Sequence, residues 1–268
     1  MKTNIVIDEL LNSTRTRVNE MQDGIPTYYD RRVLRQAQEP DPEWLGRLQR
    51  HVAAREEGRF VARSVRSSVR MTGLDRHRRS EIPDDVLIMS QGTFSPLRWR
   101  GRDLFKNVFD FSLMSMLLSE LRPATVLEIG SGTGTSALWL SDLAALYGFP
   151  CRIISVDINP VRESHPNVEF HTGDARELRT LLPADALAVR PRLIVEDAHV
   201  GVREVLEYAH GIMEEGDYIV VEDSVGKSAQ LDDFTATHKR AYAVDTYYTD
   251  FFGRNATSCV DSILRRMR

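Results

Sequence analysis

Thr125-Val126-Leu127-Glu128-Ile129 runs directly into Gly130-Ser131-Gly132-Thr133-Gly134. A short apolar run closed by glycines reads as a strand, and the helical spacing of apolar residues over 136–147 reads as the helix after it. Glycines at such a turn let the backbone reverse sharply and lie close to a ligand. The helix start beyond them offers free N–H groups. The spacing is G-x-G-x-G, whereas a dinucleotide fingerprint has G-x-G-x-x-G.

Outward from this turn, β-rich runs alternate with helical stretches. Strands are expected at Thr125–Ile129, Arg152–Asp157, 168–171, 193–196 and 218–222, with helices at 175–182 and 203–213. Such alternation is the pattern of parallel βαβ units. The fold class is therefore α/β, a doubly wound, Rossmann-like sheet. Two further β-rich runs, 241–249 and 259–265, flank the turn Phe252-Gly253-Arg254-Asn255 and are expected to close the sheet as an antiparallel hairpin, giving seven strands, mostly parallel. A strongly helical stretch covers 104–121. The domain organisation expected is a helical, Arg-rich extension over residues 1–94 and the α/β domain over 95–268.

The chain has 268 residues, 42% hydrophobic and 28% charged, with net charge −4, which excludes a disordered chain. No apolar run of about 18 residues is present, so no membrane span or membrane partner is expected. The first 17 residues carry acids where a signal peptide needs an apolar stretch. Cys151 and Cys259 form neither a metal spacing nor a disulfide framework, and the expected setting is a reducing cytoplasm. Charge is uneven: residues 1–80 hold 16 Lys/Arg against 11 Asp/Glu, and residues 81–268 hold 19 against 28. Helices are expected at 1–21 and around Trp44, Leu48 and Val52. Arg59, Arg63, Arg66 and Arg70 recur at helical spacing, followed by Arg76, Arg78 and Arg79. They could grip phosphate, pair with an acidic neighbouring subunit or face solvent. Nucleic acid is disfavoured because few aromatics interleave with them.

Three acids stand at successive strand ends: Glu128, Asp157 and, in Gly173-Asp174-Ala175, Asp174. In an open α/β sheet that edge is where ligands bind. A carboxylate after the second strand can accept both ribose hydroxyls, and one after the third can accept an adenine amino group. The alternative is that Asp157 and Asp174 are caps or turn acids. Together these residues resemble a class I S-adenosylmethionine (SAM)-dependent methyltransferase over roughly 95–268. The resemblance implies SAM as cofactor. Glu128, Gly130, Ser131, Gly132 and Gly134 would lie at its methionine part, Asp157 at ribose, and Asp174 with Ala175 at adenine.

Two acidic pairs end the fourth and fifth strands: Glu196-Asp197, followed by Ala198-His199, and Glu222-Asp223. Neighbouring strands lie about 4.8 Å apart. Four converging carboxylates repel one another, and a hard divalent cation, Mg²⁺ above all, would relieve that. Capping of the following helices by Asp197 and Asp223 is the alternative. His199 is a candidate general base or an ordinary surface histidine.

With these pairs a closer resemblance appears. Phe94-Ser95-Pro96-Leu97-Arg98-Trp99-Arg100-Gly101, Glu196-Asp197-Ala198-His199, Glu215-Gly216-Asp217-Tyr218 through Glu222-Asp223, and Asn255-Ala256-Thr257-Ser258 are similar to the cephalosporin hydroxylase family, grouped with rhamnosyl and macrolide-sugar O-methyltransferases. It implies a metal held after strands four and five, and a homo-oligomer. Glu196 departs from the pattern, where Asp is common, and leaves the choice between Glu196 and Asp197 open. The expectation is a metal-assisted, SAM-dependent O-methyltransferase acting on a hydroxyl of a small metabolite in natural-product biosynthesis. An oxidative or other non-methylating enzyme of the same family, or an RNA-binding protein with a retained cofactor fold, are the competing readings. Ser95, Trp99 and Arg100 could form a lid, or Trp99 could pack in the core.

Overall fold

The computed structural model describes residues 58–66, 80, 82–183 and 185–268. The helices expected at 1–21 and around Trp44–Val52, and the arginines 70, 76, 78 and 79, lie outside them. Arg59–Arg268 forms one unit.

At its centre is strand β4 (Thr125–Ile129), every residue of which is buried. It pairs in parallel with β5 (Arg152–Asp157) on one side and β7 (Arg192–Glu196) on the other. Strand β6 (Val168–Thr172) extends one wing, and β8 (Tyr218–Val221) extends the other. The chain therefore winds outward through β5 and β6, then returns across β4 to β7, which creates a switch point beside β4. Crevices at such points, beyond the carboxyl ends of the strands, are where ligands bind.

Successive strand residues face opposite sides of the sheet. Val126, Ile153, Leu193, Val195 and Val220 join one core with Leu113, Leu117 and Leu118 of helix α3 (Val108–Leu121) and Trp139 of α4 (Thr135–Leu146). Leu127, Ile154, Val156, Ile194 and Ile219 join the other, with Val205 and Leu206 of α6 (Val202–Ile212) and Leu231 and Phe234 of α7 (Ser228–Thr237). Helices on both faces explain why these strands are apolar runs rather than alternating ones. Between β6 and β7 lie a short 3₁₀ turn, Ala175–Glu177, and helix α5 (Leu178–Leu181).

The C-terminal strands β9 (Tyr242–Asp245) and β10 (Ile263–Arg266) pair antiparallel, and β10 inserts between β9 and β8, so the expected seven-stranded sheet with its antiparallel end is present. The β-rich run ends at Asp245, not 249. The Asp245 carboxylate accepts the Tyr247 N–H at 3.1 Å and caps a helical turn, α8 (Thr246–Thr249).

An eighth strand, β1 (Phe60–Val61), pairs antiparallel with β9. It is followed by α1 (Arg63–Arg66), so the arginine series is helical only in part, among the described residues. Its arginines turn inward on their own chain. Arg66 is buried and donates to Asp250 at 2.6 and 2.9 Å and to Asp261 at 2.5 Å. Arg59 reaches Asp245 and Glu120, both at 2.8 Å, and Arg63 reaches Asp232 at 2.7 Å. Loss of one partner from a buried pair such as Arg66–Asp250 costs about 3–5 kcal/mol, because the other charge stays buried. Ahead of α3, a short helix α2 (Asp84–Met89) precedes a separate hairpin of β2 (Leu97–Trp99) and β3 (Arg102–Leu104). No helix among the described residues is long and apolar enough to cross a membrane. Cys151 and Cys259 are buried and unpaired.

Candidate active site

A cavity of about 540 Å³ opens at the carboxyl ends of the parallel strands. That size suits a small molecule. Gly130, Gly132, Asp157, Asp174 and Ala175 line one side, and Asp197, His199, Glu222 and Asp223 line the other. One cavity thus joins the two groups of residues that the strand-end acids single out.

The glycine turn shapes the first side. Gly130 has φ +101°, and a Cβ there would sit 2.6 Å from the carbonyl carbon of Asp197 and 2.7 Å from the Ala198 nitrogen. The turn after β4 therefore packs directly against the turn after β7, and only glycine allows it. Gly132 has open space around its Cβ position, and its N–H donates to Asp157 Oδ2 at 2.9 Å. Asp157 Oδ1 accepts the Asn159 N–H at 2.8 Å. Asp174 caps the 3₁₀ turn by accepting the Arg176 N–H at 2.9 Å. The capping alternative for Asp174 is thus true of one oxygen, while the side chain also lines the cavity.

Glu128, Ser131 and Gly134 lie beneath the cavity wall rather than on it. Glu128 is buried and accepts from Ser155 Oγ at 2.5 Å; burial pushes its carboxyl up, against the pull of hydrogen bonds from Ser136 and Ser155. Ser131 Oγ lies 2.5 Å from Ser155 Oγ. Gly134 begins α4 at φ +81°, where Val161 and Phe170 leave no room for a side chain. These three shape the turn from below.

On the second side the two acidic pairs divide. Glu196 is fully buried; it accepts from Lys227 Nζ at 2.7 Å and from the Ala198 N–H at 3.1 Å. It braces the turn that carries Asp197 and does not face the cavity. Glu222 faces the cavity but is in contact with buried Lys106 Nζ, which also lies 3.2 Å from Asp197 Oδ2. Burial works against the Lys106 charge, yet Glu222 and Asp197 outweigh it and hold the ammonium protonated. Asp197, His199 and Asp223 remain. His199 Nε2 lies 3.6 Å from Asp197 Oδ1 and 3.5 Å from Asp223 Oδ2, and one donor atom from each of the three fits within 4.8 Å. His199 and Asp223 both adopt left-handed backbone, φ +59° and +47°, uncommon for residues with a side chain.

Residue-type reasoning missed Lys106, Asp110 and Ser258. Asn107 caps α3 by accepting the Asp110 N–H at 2.8 Å, and this cap fixes Lys106 at the cavity. Asp110 in turn accepts from Ser258 Oγ at 2.5 Å, so the loop 255–258 packs behind the site. The Asn107–Asp110 spacing is a legible helix start; its lysine is not a legible ligand-site residue. Ser95, Trp99 and Arg100 do not line the cavity. Trp99 Nε1 and Arg100 Nε each donate to Asp142 of α4 at 2.7 Å, and Trp99 packs against the core.

Residues 91–181 match the model of the family Rhamnosyl O-methyltransferase/CmcI. That span holds the glycine turn, Asp157 and Asp174. A rhamnosyl O-methyltransferase of Mycobacterium leprae is 28% identical over 141 residues, 47% of this chain and 59% of that protein. Its namesake in Mycobacterium tuberculosis is 26% identical over 140 residues, 47% of this chain and 56% of that one. The chain thus spans less than two thirds of these curated relatives. Among solved structures, the CmcI-N160 apo-structure is 27% identical with a TM-score of 0.58, covering 75% of this chain and 87% of that one. The structure cmcI-D160 Mg-SAM is 28% identical with a TM-score of 0.56, covering 75% and 88%. Family model, curated relatives and solved structures each show a likeness of this chain to the rhamnosyl O-methyltransferase/CmcI proteins, and the fold shared with those structures is the Rossmann-like methyltransferase fold.

Proposed function

We propose that the chain is a metal-assisted, SAM-dependent O-methyltransferase acting on a hydroxyl of a small metabolite, in natural-product biosynthesis. The observation that carries this reading is the single cavity joining Gly130, Gly132, Asp157 and Asp174 to Asp197, His199 and Asp223. The similar structure cmcI-D160 Mg-SAM is named for both magnesium and SAM, and the relatives are rhamnosyl O-methyltransferases.

The residues present fit both groups. Asp157 has already accepted two backbone N–H groups, and each oxygen retains a lone pair for a ribose hydroxyl. The open flank of Gly132 leaves room for a ligand against the backbone. Asp197 and Asp223 supply carboxylate oxygens, the donors a hard divalent cation prefers. When bound, SAM supplies an electrophilic methyl group, and the ion lowers the pKa of an acceptor hydroxyl.

In this reading His199 Nε2 takes the hydroxyl proton as the O–C bond forms and the S–C bond breaks. Asp197 and Asp223 each place a carboxylate oxygen within 3.6 Å of that nitrogen. The cavity walls hold the acceptor in line, and positioning supplies much of the rate. A second reading, favoured by the three donors within 4.8 Å, makes His199 an ion ligand. Residues 95–268 would carry the enzyme, and residues 1–94 would be an extension through which copies associate, in a reducing cytoplasm.

The test is labelled methyl transfer from SAM to a panel of rhamnosylated glycosides, read by mass spectrometry as a gain of one methylene unit. EDTA should abolish transfer and Mg²⁺ should restore it. Full transfer in chelator would remove the metal from the reading, and absence of SAM binding would overturn it entirely.

A further inference from the structure

Asp110 and Ser258 line the cavity, and the proposed reaction uses neither. Both are set by the loop between α8 and β10, residues 250–262. Asp110 Oδ1 accepts from Thr257 Oγ1, and Asp110 Oδ2 accepts the Ser258 N–H at 3.1 Å and Ser258 Oγ at 2.5 Å. The Ser258 carbonyl accepts the N–H and Oγ of Ser224, both at 3.1 Å, and Ser224 directly follows Asp223. One loop thus braces the start of α3 and the turn after β8.

The loop is closed at its base by a side chain far away in sequence. The buried Arg66 guanidinium donates to Asp250, to Asp261 and, at 3.3 Å, to Asn255 Oδ1. Asp250 Oδ1 accepts the Asn255 N–H at 3.1 Å, and Asn255 Oδ1 accepts the Asp261 N–H at 3.0 Å, so the guanidinium completes a ring of contacts around Thr257 and Ser258. Asn255 and Asp261 hold left-handed backbone, φ +51° and +49°. Residues with a side chain keep that conformation only where their surroundings over-determine it.

We propose that Arg66 is a positioning residue for the second side of the cavity. Through Asp250, Asn255 and Asp261 it fixes the loop that holds Asp110, Ser258 and the turn carrying Asp223. That this side receives the acceptor rests on the function proposed above; its dependence on Arg66 does not. The first side, where Asp157 is held by the Gly132 and Asn159 amides, is indifferent to Arg66.

The experiment is hydrogen exchange of the full-length protein, read by mass spectrometry. In Arg66→Met, peptides covering 107–113, 222–227 and 250–261 should exchange at least about tenfold faster, while 130–135 and 157–159 stay within about threefold. Its SAM affinity by calorimetry should stay within about threefold. Arg63→Met, which cuts the contact of α1 with Asp232 and Ser228 of α7 instead, should leave 107–113 and 222–227 within about threefold. A merely structural role would speed all peptides alike, and that result overturns the proposal. So does faster exchange confined to 250–261, because the loop would then loosen without moving the cavity wall. A loss of SAM affinity beyond threefold overturns it too. If Arg66→Met does not fold, judged by circular dichroism, Arg66→Lys decides by the same pattern. It keeps the charge but not the forked donors, and the increase should be at least about threefold with the first side unchanged. For any glycoside that the unmodified protein methylates, the variant should lower kcat/KM at least about tenfold, and an unchanged value removes the positioning role. Absence of SAM binding by the unmodified protein removes the proposed function, while the exchange pattern still decides this inference.

Discussion

The two sides of the cavity are satisfied in opposite ways. At the ends of β5 and β6 the acids are held by backbone N–H groups from nearby turns: Asp157 by Gly132 and Asn159, Asp174 by Arg176. At the ends of β7 and β8 the glutamates are held by buried lysines, 31 residues away for Glu196 and 116 for Glu222. The first side is a fixed cradle with spare acceptors. The second is a charge balance, in which one added or removed cation changes what every neighbour does. Ligands should therefore respond to substitutions on the two sides separately, except where the sides touch.

They touch at Gly130, and the largest effect is expected there. Gly130→Ala drives a Cβ to 2.6 Å from the Asp197 backbone at a φ that disfavours alanine. SAM binding and Mn²⁺ binding should fall together, each by more than about a hundredfold and so by more than about ten-thousandfold combined, with a lower melting temperature reflecting strain of about 1–3 kcal/mol. Loss on one side alone would break the coupling of the two turns. Next come Asp197→Asn and Asp223→Asn. Each should lower the rate of methyl transfer by about a thousandfold, the size expected when several kcal/mol of Lewis-acid assistance are lost. SAM affinity by calorimetry should stay within threefold.

His199→Ala should lower kcat by about a hundredfold with Mn²⁺ affinity unchanged if the ring moves a proton. A tenfold loss of Mn²⁺ affinity would make it a ligand instead. The smallest effect belongs to Asp157→Ala, which in the proposed reading would remove two hydrogen bonds to ribose. SAM affinity should weaken by about tenfold to a hundredfold, with Mn²⁺ binding intact.

The same contrast explains what was legible in the sequence. The parallel strands appear within one residue of their expected bounds, because each is a short apolar run between strong punctuators. The glycine turn is one contiguous motif, and Asp157 and Asp174 each accept an N–H two residues on, so their place at the cavity follows from the pattern. Adjacent residues at a strand end face opposite ways. The pattern therefore showed two acidic pairs but not which members reach the cavity. Lys227, outside both motifs, holds Glu196 off the cavity, while Asp197, Glu222 and Asp223 line it. The arginine series has the same lesson. Its spacing suggested one helical face, but Phe60–Val61 is drawn into the sheet by pairing with β9, and Arg66 is buried by Asp250 and Asp261, 184 and 195 residues distant.

The most direct measurement is a crystal of the full-length protein soaked with SAM and Mn²⁺, with the ion located by its anomalous scattering. The expected result is one cavity holding both, the SAM ribose on Asp157 and the manganese signal within bonding distance of Asp197 and Asp223. SAM or manganese bound elsewhere, or a manganese signal on Glu196 and Glu222 without the two aspartates, would contradict the division of the site described above.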